Sequence, residues 1–208
     1  MGLPILRPDM HIDESQLIAR SRQGDLDAFN RLVEHYQRPV YNLCLRMLGS
    51  PQAAEDATQE AFIAAYRAID RFRGGTLGAW LFRIAANACY DELRRRRSRP
   101  ALSLDAPAAG QRPLDLPDPG PPLDEHAQRL ELARALQQAL AALPPDQRLA
   151  VILCDVQGLD YAEIARVTGV SLGTVKSRLN RARARLRGLL LARGELLPAR
   201  FRPSSEAS

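Results

Sequence analysis

Lys176, Ser177, Asn180 and Arg181 bring an ammonium, a hydroxyl, a carboxamide and a guanidinium into one short stretch of chain. At helical spacing all four fall on one face. None has the neighbours of a catalytic nucleophile. As a set they are donors and acceptors suited to base edges and phosphates in a DNA major groove. Val175, Leu179, Ala182 and Leu186 occupy the opposite positions and predict a buried stripe. Ser171 stands where the helix should begin, its hydroxyl able to accept an orphan amide hydrogen bond, with Thr174 in the first turn. Arg178, Arg183 and Arg185 extend the basic surface along the same helix.

A reading helix needs a second helix to hold it. The segment LDYAEIARVTGVSLGTVKSRLNRARARLR, Leu159 to Arg187, reads as a helix, a tight turn at Gly169 and a second helix. Ala165 is the small residue where the two touch, and Ile164 and Val170 lie beneath. Between Arg166 and Arg193 there are eight basic residues and no acidic one, whereas the whole chain carries only +5. A merely solvated helical hairpin usually mixes signs. An unmixed cationic second helix is what attraction to phosphate requires, so the segment predicts a DNA-reading helix-turn-helix.

Composition bounds the rest. A chain of 208 residues, 46% hydrophobic and 25% charged, holds one or two modest helical cores and is too short for a large enzyme architecture. Cys44, Cys89 and Cys154 form no C-x-x-C pair and lie on apolar helical faces, where buried reduced thiols are expected. His11, His35 and His126 are equally scattered. With no metal-ligand spacing and no nucleophile beside a base, the chain is expected not to be an enzyme and to take neither metal nor cofactor. No apolar run is long enough to cross a bilayer, and MGLPILRPDMHIDE lacks the apolar core of a signal peptide. Leu6 stands where a myristoylation signal needs a hydroxyl. A cytoplasmic location is expected, and a pI near 9.5 suggests an anionic partner.

The expected architecture is all-α: two small helical domains joined by a flexible, proline-rich linker, the second domain being the helix-turn-helix. From Ser98 to Glu125 the sequence SRPALSLDAPAAGQRPLDLPDPGPPLDE holds seven of the fifteen prolines, no aromatic residue and a net negative charge. It separates residues 13–97 from residues 126–192, and residues 193–208 predict a disordered tail. In the first domain apolar residues recur at helical intervals through Gln16–Ser21, Leu26–Tyr36, Val40–Leu48, Ala53–Ile69 and Leu77–Leu93. Breaks are expected at Gly24, Pro39, Gly49-Ser50-Pro51 and Gly74-Gly75. Ser50–Asp70 carries Glu55, Asp56, Glu60 and Asp70 against Arg67 alone, while Arg71–Arg99 has eight arginines against Asp91 and Glu92. One acidic helix therefore adjoins one basic helix.

DATQEAFIAAYRAIDRFRGG, AWLFRIAANACYDELRRR and YAEIARVTGVSLGTVKSRLNRARARLR, in that order around a proline-rich linker, resemble the extracytoplasmic-function (ECF) class of bacterial sigma factors. The resemblance runs from roughly Asp13 to Ala192. It implies a transcription initiation factor that binds core RNA polymerase and directs it to promoters. The acidic helix would dock on the coiled coil of the polymerase clamp through Asp56, Gln59, Glu60 and Phe62, and the polymerase flap would be a further contact. The basic helix and the loop before it would open the minus-ten element and hold an unstacked base through Arg73, Gly75, Thr76, Arg83, Asn87, Arg94 and Arg95. Asn87 matches the asparagine associated with that capture. Trp80 belongs to the same motif and keeps two readings, base contact or core anchor, because Leu81 and Ile84 share its apolar stripe. The helix-turn-helix would read the minus-thirty-five element through Ser171, Thr174, Lys176, Ser177, Arg178, Asn180, Arg181, Arg183 and Arg185. The loop FRGGTLGAWL is one residue shorter than in many members and lacks their acidic and aromatic residues before the tryptophan. The acidic linker would thread toward the RNA exit path, and an anti-sigma factor is a common further partner in the family.

Two other readings remain open at this point. A stand-alone helix-turn-helix regulator binding operator DNA as a dimer would need a receiver or ligand domain, and the N-terminal half has no βα alternation to build a receiver. A helical adaptor that binds no DNA would leave the cationic stretch without a purpose.

Overall fold

A computed structural model of the chain describes residues 13–98 and 123–192, and every regular element among them is helical. The N-terminal unit comprises α1 (Glu14–Arg22), α2 (Leu26–Leu48), α3 (Pro51–Ala68), a 3-10 turn (Ile69–Arg71) and α4 (Leu77–Ser98). Asp13, Asp25 and Ser50 start the first three helices, each side chain accepting an amide hydrogen bond from the first turn. Pro51 occupies the first turn of α3, where its missing N–H costs nothing. The buried face of α3 is built of Ala53, Ala54, Ala57, Ala61 and Ala65. Such small side chains let α3 lie close against both α2 and α4. Leu32, Leu43, Met47 and Leu77 fill the centre, with Cys44 and Cys89 buried among them as free thiols.

At Pro39 the expected break does not occur: α2 runs unbroken from Leu26 to Leu48. An interior proline removes one hydrogen bond and crowds the preceding turn, at a cost of about 3 kcal/mol. Leu32, before it, and Val40, Leu43, Cys44 and Met47, after it, all lie on one buried stripe. Burial of both halves against the same neighbours outweighs the local penalty.

The C-terminal unit comprises α5 (Leu123–Ala141), α6 (Pro145–Val151) continuing into a π-helical turn (Ile152–Val156), α7 (Tyr161–Thr168) and α8 (Leu172–Leu191). Helix α5 begins at Leu123, inside the stretch assigned from sequence to the linker, because the proline run ends at Pro122 and nothing after it opposes a helix. Helix α4 likewise takes in Ser98 at the linker's start, and residues 99–122 and the tail 193–208 lie outside the described residues.

The two units touch. Helices α5 and α6 and the π-turn pack on α2, α7 packs on α4, and the buried apolar side chains of both units form one continuous core. Periodicity within each unit gives no hint of this contact. Among the described residues no helix is long and apolar enough to cross a membrane. No group of His, Cys, Asp and Glu among them is placed to hold a metal.

Candidate nucleic-acid interface

Local chemistry builds the helix-turn-helix. Asp160 accepts from the Glu163 amide at 2.7 Å while the Glu163 carboxylate accepts from the Asp160 amide at 3.0 Å, so α7 starts on a reciprocal cap. Gly169 ends it with φ +69°, a left-handed conformation that a side chain would strain, and its N–H reaches the Ala165 carbonyl at 2.8 Å. Ser171 then caps α8, accepting from the Thr174 amide at 3.3 Å and sharing a 2.9 Å hydroxyl contact with Thr174. Val175, Leu179 and Ala182 are buried, which turns Lys176, Asn180 and Arg181 outward. Ser177 is half-buried, and its hydroxyl receives the Arg181 guanidinium at 3.1 Å. Lys176, Ser177, Asn180 and Arg181 thus form one outward polar face, and Arg185 is exposed further along.

Arg178 and Arg183 also make ion pairs within the C-terminal unit. Arg178 pairs with Asp146 of α6 at 3.0 Å. Arg183 grips Asp155 of the π-turn at 2.5 and 3.1 Å and touches the Cys154 sulfur at 3.4 Å. The hydrogen bond to Asp155 pushes the Arg183 guanidinium above its ordinary range. Both arginines brace α8 against the elements beneath it. The cationic segment contains no acid of its own, so only the fold reveals the two carboxylates that neutralise them.

A comparison of Asp155→Ala with Arg183→Ala tests this assignment. With both side chains about 40% exposed, each change should cost under about 1 kcal/mol of stability, and their effects should overlap in the double variant. Promoter affinity should fall equally in both. If Arg183 holds a phosphate instead, its removal alone lowers the salt dependence of binding by about one counterion.

In the N-terminal unit, helix α3 sorts its residues by face. Asp56, Gln59 and Glu60 are exposed, and the Asp56 carboxylate accepts from Gln52 at 3.3 Å. Phe62 is only 9% exposed and points into the core with Ala61 and Ala65, away from the exposed face that carries Asp56, Gln59 and Glu60. The apolar residue on the outer face is Ile63, 52% exposed, in a shallow groove with Asp56, Gln59, Glu60 and Arg95. Ile63 lies three residues after Glu60 and seven after Asp56, on their face, a spacing already present in the sequence.

Helix α4 carries the other expected contacts. Arg83 and Asn87, one turn apart, are both exposed. Trp80 is half-buried and leans on Phe72, ring centroids 5.4 Å apart, so part of its ring packs on the loop and part stays accessible. Gly74 and Gly75 hold φ of +102° and +89° in the exposed turn before α4. Thr76 follows, its hydroxyl directed to the Glu163 carboxylate at 3.3 Å. Arg73 donates to the Asp70 carbonyl at 3.1 Å. Arg94 pairs with Asp91 at 3.0 Å, and Arg95 bridges Glu60 and Glu92 at 3.4 Å. The arginines at the end of α4 are thus partly paired with carboxylates of α4 itself, and Arg95 ties α4 to the acidic face of α3.

Residues 32–99 match sigma-70 region 2, and residues 133–186 match sigma-70 region 4. The ECF RNA polymerase sigma factor SigM of Mycobacterium tuberculosis is 39% identical over 178 residues, spanning 85% of this chain and 84% of that protein. The chain belongs to the ECF class of the sigma-70 family. A second relative, the ECF sigma factor SigE of Mycolicibacterium smegmatis, is 39% identical over 172 residues, covering 83% of this chain and 65% of that protein. Among solved structures, this sigma factor resembles CnrH in complex with the cytosolic domain of CnrY, with a TM-score of 0.64 and 31% identity over 86% of this chain and 97% of that one. As a member of the family it is a transcription initiation factor that directs RNA polymerase to promoters, and not an enzyme.

Proposed function

We propose that this sigma factor divides promoter recognition between its two units. Region 4 reads the minus-thirty-five element with Lys176, Ser177, Asn180 and Arg181, whose polar atoms share one outward face of α8. Region 2 opens the minus-ten element with the turn at Gly74 and Gly75 and with Arg83 and Asn87 on α4, Asn87 holding the extruded base. Asp56, Gln59, Glu60 and Ile63 on α3 seat the protein on the clamp coiled coil. Region 4 meets the flap, the whole acts in the cytoplasm, and an anti-sigma factor is a natural regulator. The observation that carries this reading is the placement of charge: an outward cationic, hydrogen-bonding face on α8, Arg83 and Asn87 exposed one turn apart on α4, and an acidic face on α3 whose Asp56, Gln59 and Glu60 are exposed.

Footprinting with and without core polymerase tests it. Protection of both promoter elements should appear only when core enzyme is present. Tight, sequence-specific protection by the free protein would instead identify a stand-alone regulator, and absence of protection in both cases an adaptor.

A further inference from the structure

The loop between α3 and α4 starts where a helix has just ended, and carbonyls at such an end need donors from elsewhere. The 3-10 turn supplies one, the Phe72 amide donating to the Ile69 carbonyl at 3.2 Å, and Arg73 donates to the Asp70 carbonyl at 3.1 Å. The Phe72 carbonyl is met from much farther back in the chain. Arg22, the last residue of α1, donates from Nη2 to the Phe72 carbonyl and from Nε to the Ile69 carbonyl at 3.4 Å. One guanidinium fork therefore spans the turn by which the chain enters the loop. The side chain of Phe72 is buried and stacks on Trp80, so the same residue is fixed through its carbonyl and through its ring.

The other end of the loop is also held from α1. Glu14, its first residue, accepts from the Tyr36 hydroxyl at 2.5 Å. Tyr36 lies against the first turn of α4, so close to Gly78 that a β-carbon there would stand 3.1 Å from the tyrosine ring. Between these two anchors stand Gly74 and Gly75, and a β-carbon on either would meet nothing within 4 Å. Two glycines in open space give the backbone the widest choice of conformations, and packing around them restricts none of it. The path of the loop is therefore set at its ends.

We infer that Arg22 is a positioning residue for promoter opening: from α1 it holds the entry of the loop that meets the minus-ten element, so that the loop is shaped before a base arrives. The inference rests on the role of that loop proposed above. Order built in by the fold does not have to be created on binding, which is how a preorganised loop gains affinity over a free one. Without the fork the Phe72 carbonyl turns to water, its stack with Trp80 loosens, and capture must order the loop as well as the base.

The test reads the loop first without DNA and then with it. Trp80 is the single tryptophan of the chain and touches Phe72, so its fluorescence reports the loop entry directly. In the free full chain, Arg22→Ala should make Trp80 easier to quench with acrylamide. Arg22→Lys keeps a cation that reaches one carbonyl and should fall between the two. With core polymerase bound, Arg22→Ala should lower affinity for a single-stranded oligonucleotide carrying the non-template minus-ten sequence roughly 5- to 30-fold, the cost of ordering one more backbone residue at capture. Protection of a minus-thirty-five duplex should stay at the wild-type level. Unchanged quenching in Arg22→Ala would overturn the brace. Easier quenching with no loss of strand affinity, where Asn87→Ala does lose it, would overturn its part in opening. If Asn87→Ala also keeps full strand affinity, the minus-ten reading fails and the opening role with it, while the quenching result for the loop stands. Equal losses on both promoter elements would reduce Arg22 to a general support of the fold and overturn the assignment. Should Arg22→Ala fail to fold, Arg22→Lys carries the comparison, and wild-type quenching and strand affinity in that variant would overturn it.

Discussion

A chain carrying Asp56→Arg and Glu60→Arg together is expected to lose its binding to core RNA polymerase while melting at the wild-type temperature. Both side chains are exposed on α3, opposite its buried alanine face, so neither contributes to the core. Glu60 makes one ion pair, with Arg95 at 3.4 Å, between side chains more than half exposed. Such a pair contributes about 0–1 kcal/mol, and Arg95 keeps Glu92 as a second partner. Docking, as proposed above, is another matter, because two reversals turn attraction for a basic partner surface into repulsion. Like charges placed across an interface cost several kcal/mol, or a hundredfold and more in affinity. Titration of labelled core enzyme, alongside a thermal melt, separates the two effects. Retained affinity would show that the α3 surface is misassigned, and a lowered melting temperature would show that the loss comes from the fold. Ile63→Ala should weaken the same binding by less, since it removes apolar area without adding repulsion.

Removal of the Arg181 side chain is expected to erase discrimination at one base pair of the minus-thirty-five element. A good side-chain contact to a base edge contributes about 1–3 kcal/mol of discrimination, roughly 5- to 150-fold. Arg181 is exposed on the polar face of α8 and already oriented, its guanidinium held 3.1 Å from the Ser177 hydroxyl and 3.2 Å from the Ser177 carbonyl. Arg185 lies farther from the start of the helix, and its loss should weaken all sequences alike while lowering the salt dependence by about one counterion. Competition between the cognate element and single-base variants, repeated at two salt concentrations, reads both quantities. Equal losses on cognate and scrambled DNA for Arg181→Ala would remove it from the set of base contacts.

Much of this was legible before any fold was known, for reasons that are local. Helix starts at Ser50 and Ser171 depend on side chains reaching amides within the same turn; those at Asp13 and Asp25 follow the same rule, though only the structure singled them out. The turn at Gly169 depends on one residue's freedom of φ. The outward face of α8 follows from where Val175, Leu179 and Ala182 must go. The same arithmetic, applied to α3, already places Phe62 inward with Ala61 and Ala65 and Ile63 outward with Asp56 and Glu60. Pro39 marks the limit of such reasoning: the local penalty is real, and burial on both sides of it is larger.

Charge pattern, capping residues and apolar period by themselves determined an all-helical chain in two units, a reading helix in the second, and an acidic helix beside a basic one in the first. Each of these is set by interactions that reach no farther than one or two turns. Only the tertiary structure decided which cations remain available. Asp146 and Asp155 stand 32 and 28 residues upstream of Arg178 and Arg183 and meet them only when α6 and the π-turn fold beneath α8. It also decided that region 4 completes the end of α2. A carbonyl at a helix terminus takes its donor from whatever lies nearest in space, and spatial nearness across 90 residues or more, as from Arg46 to Gln137, leaves no trace in local spacing.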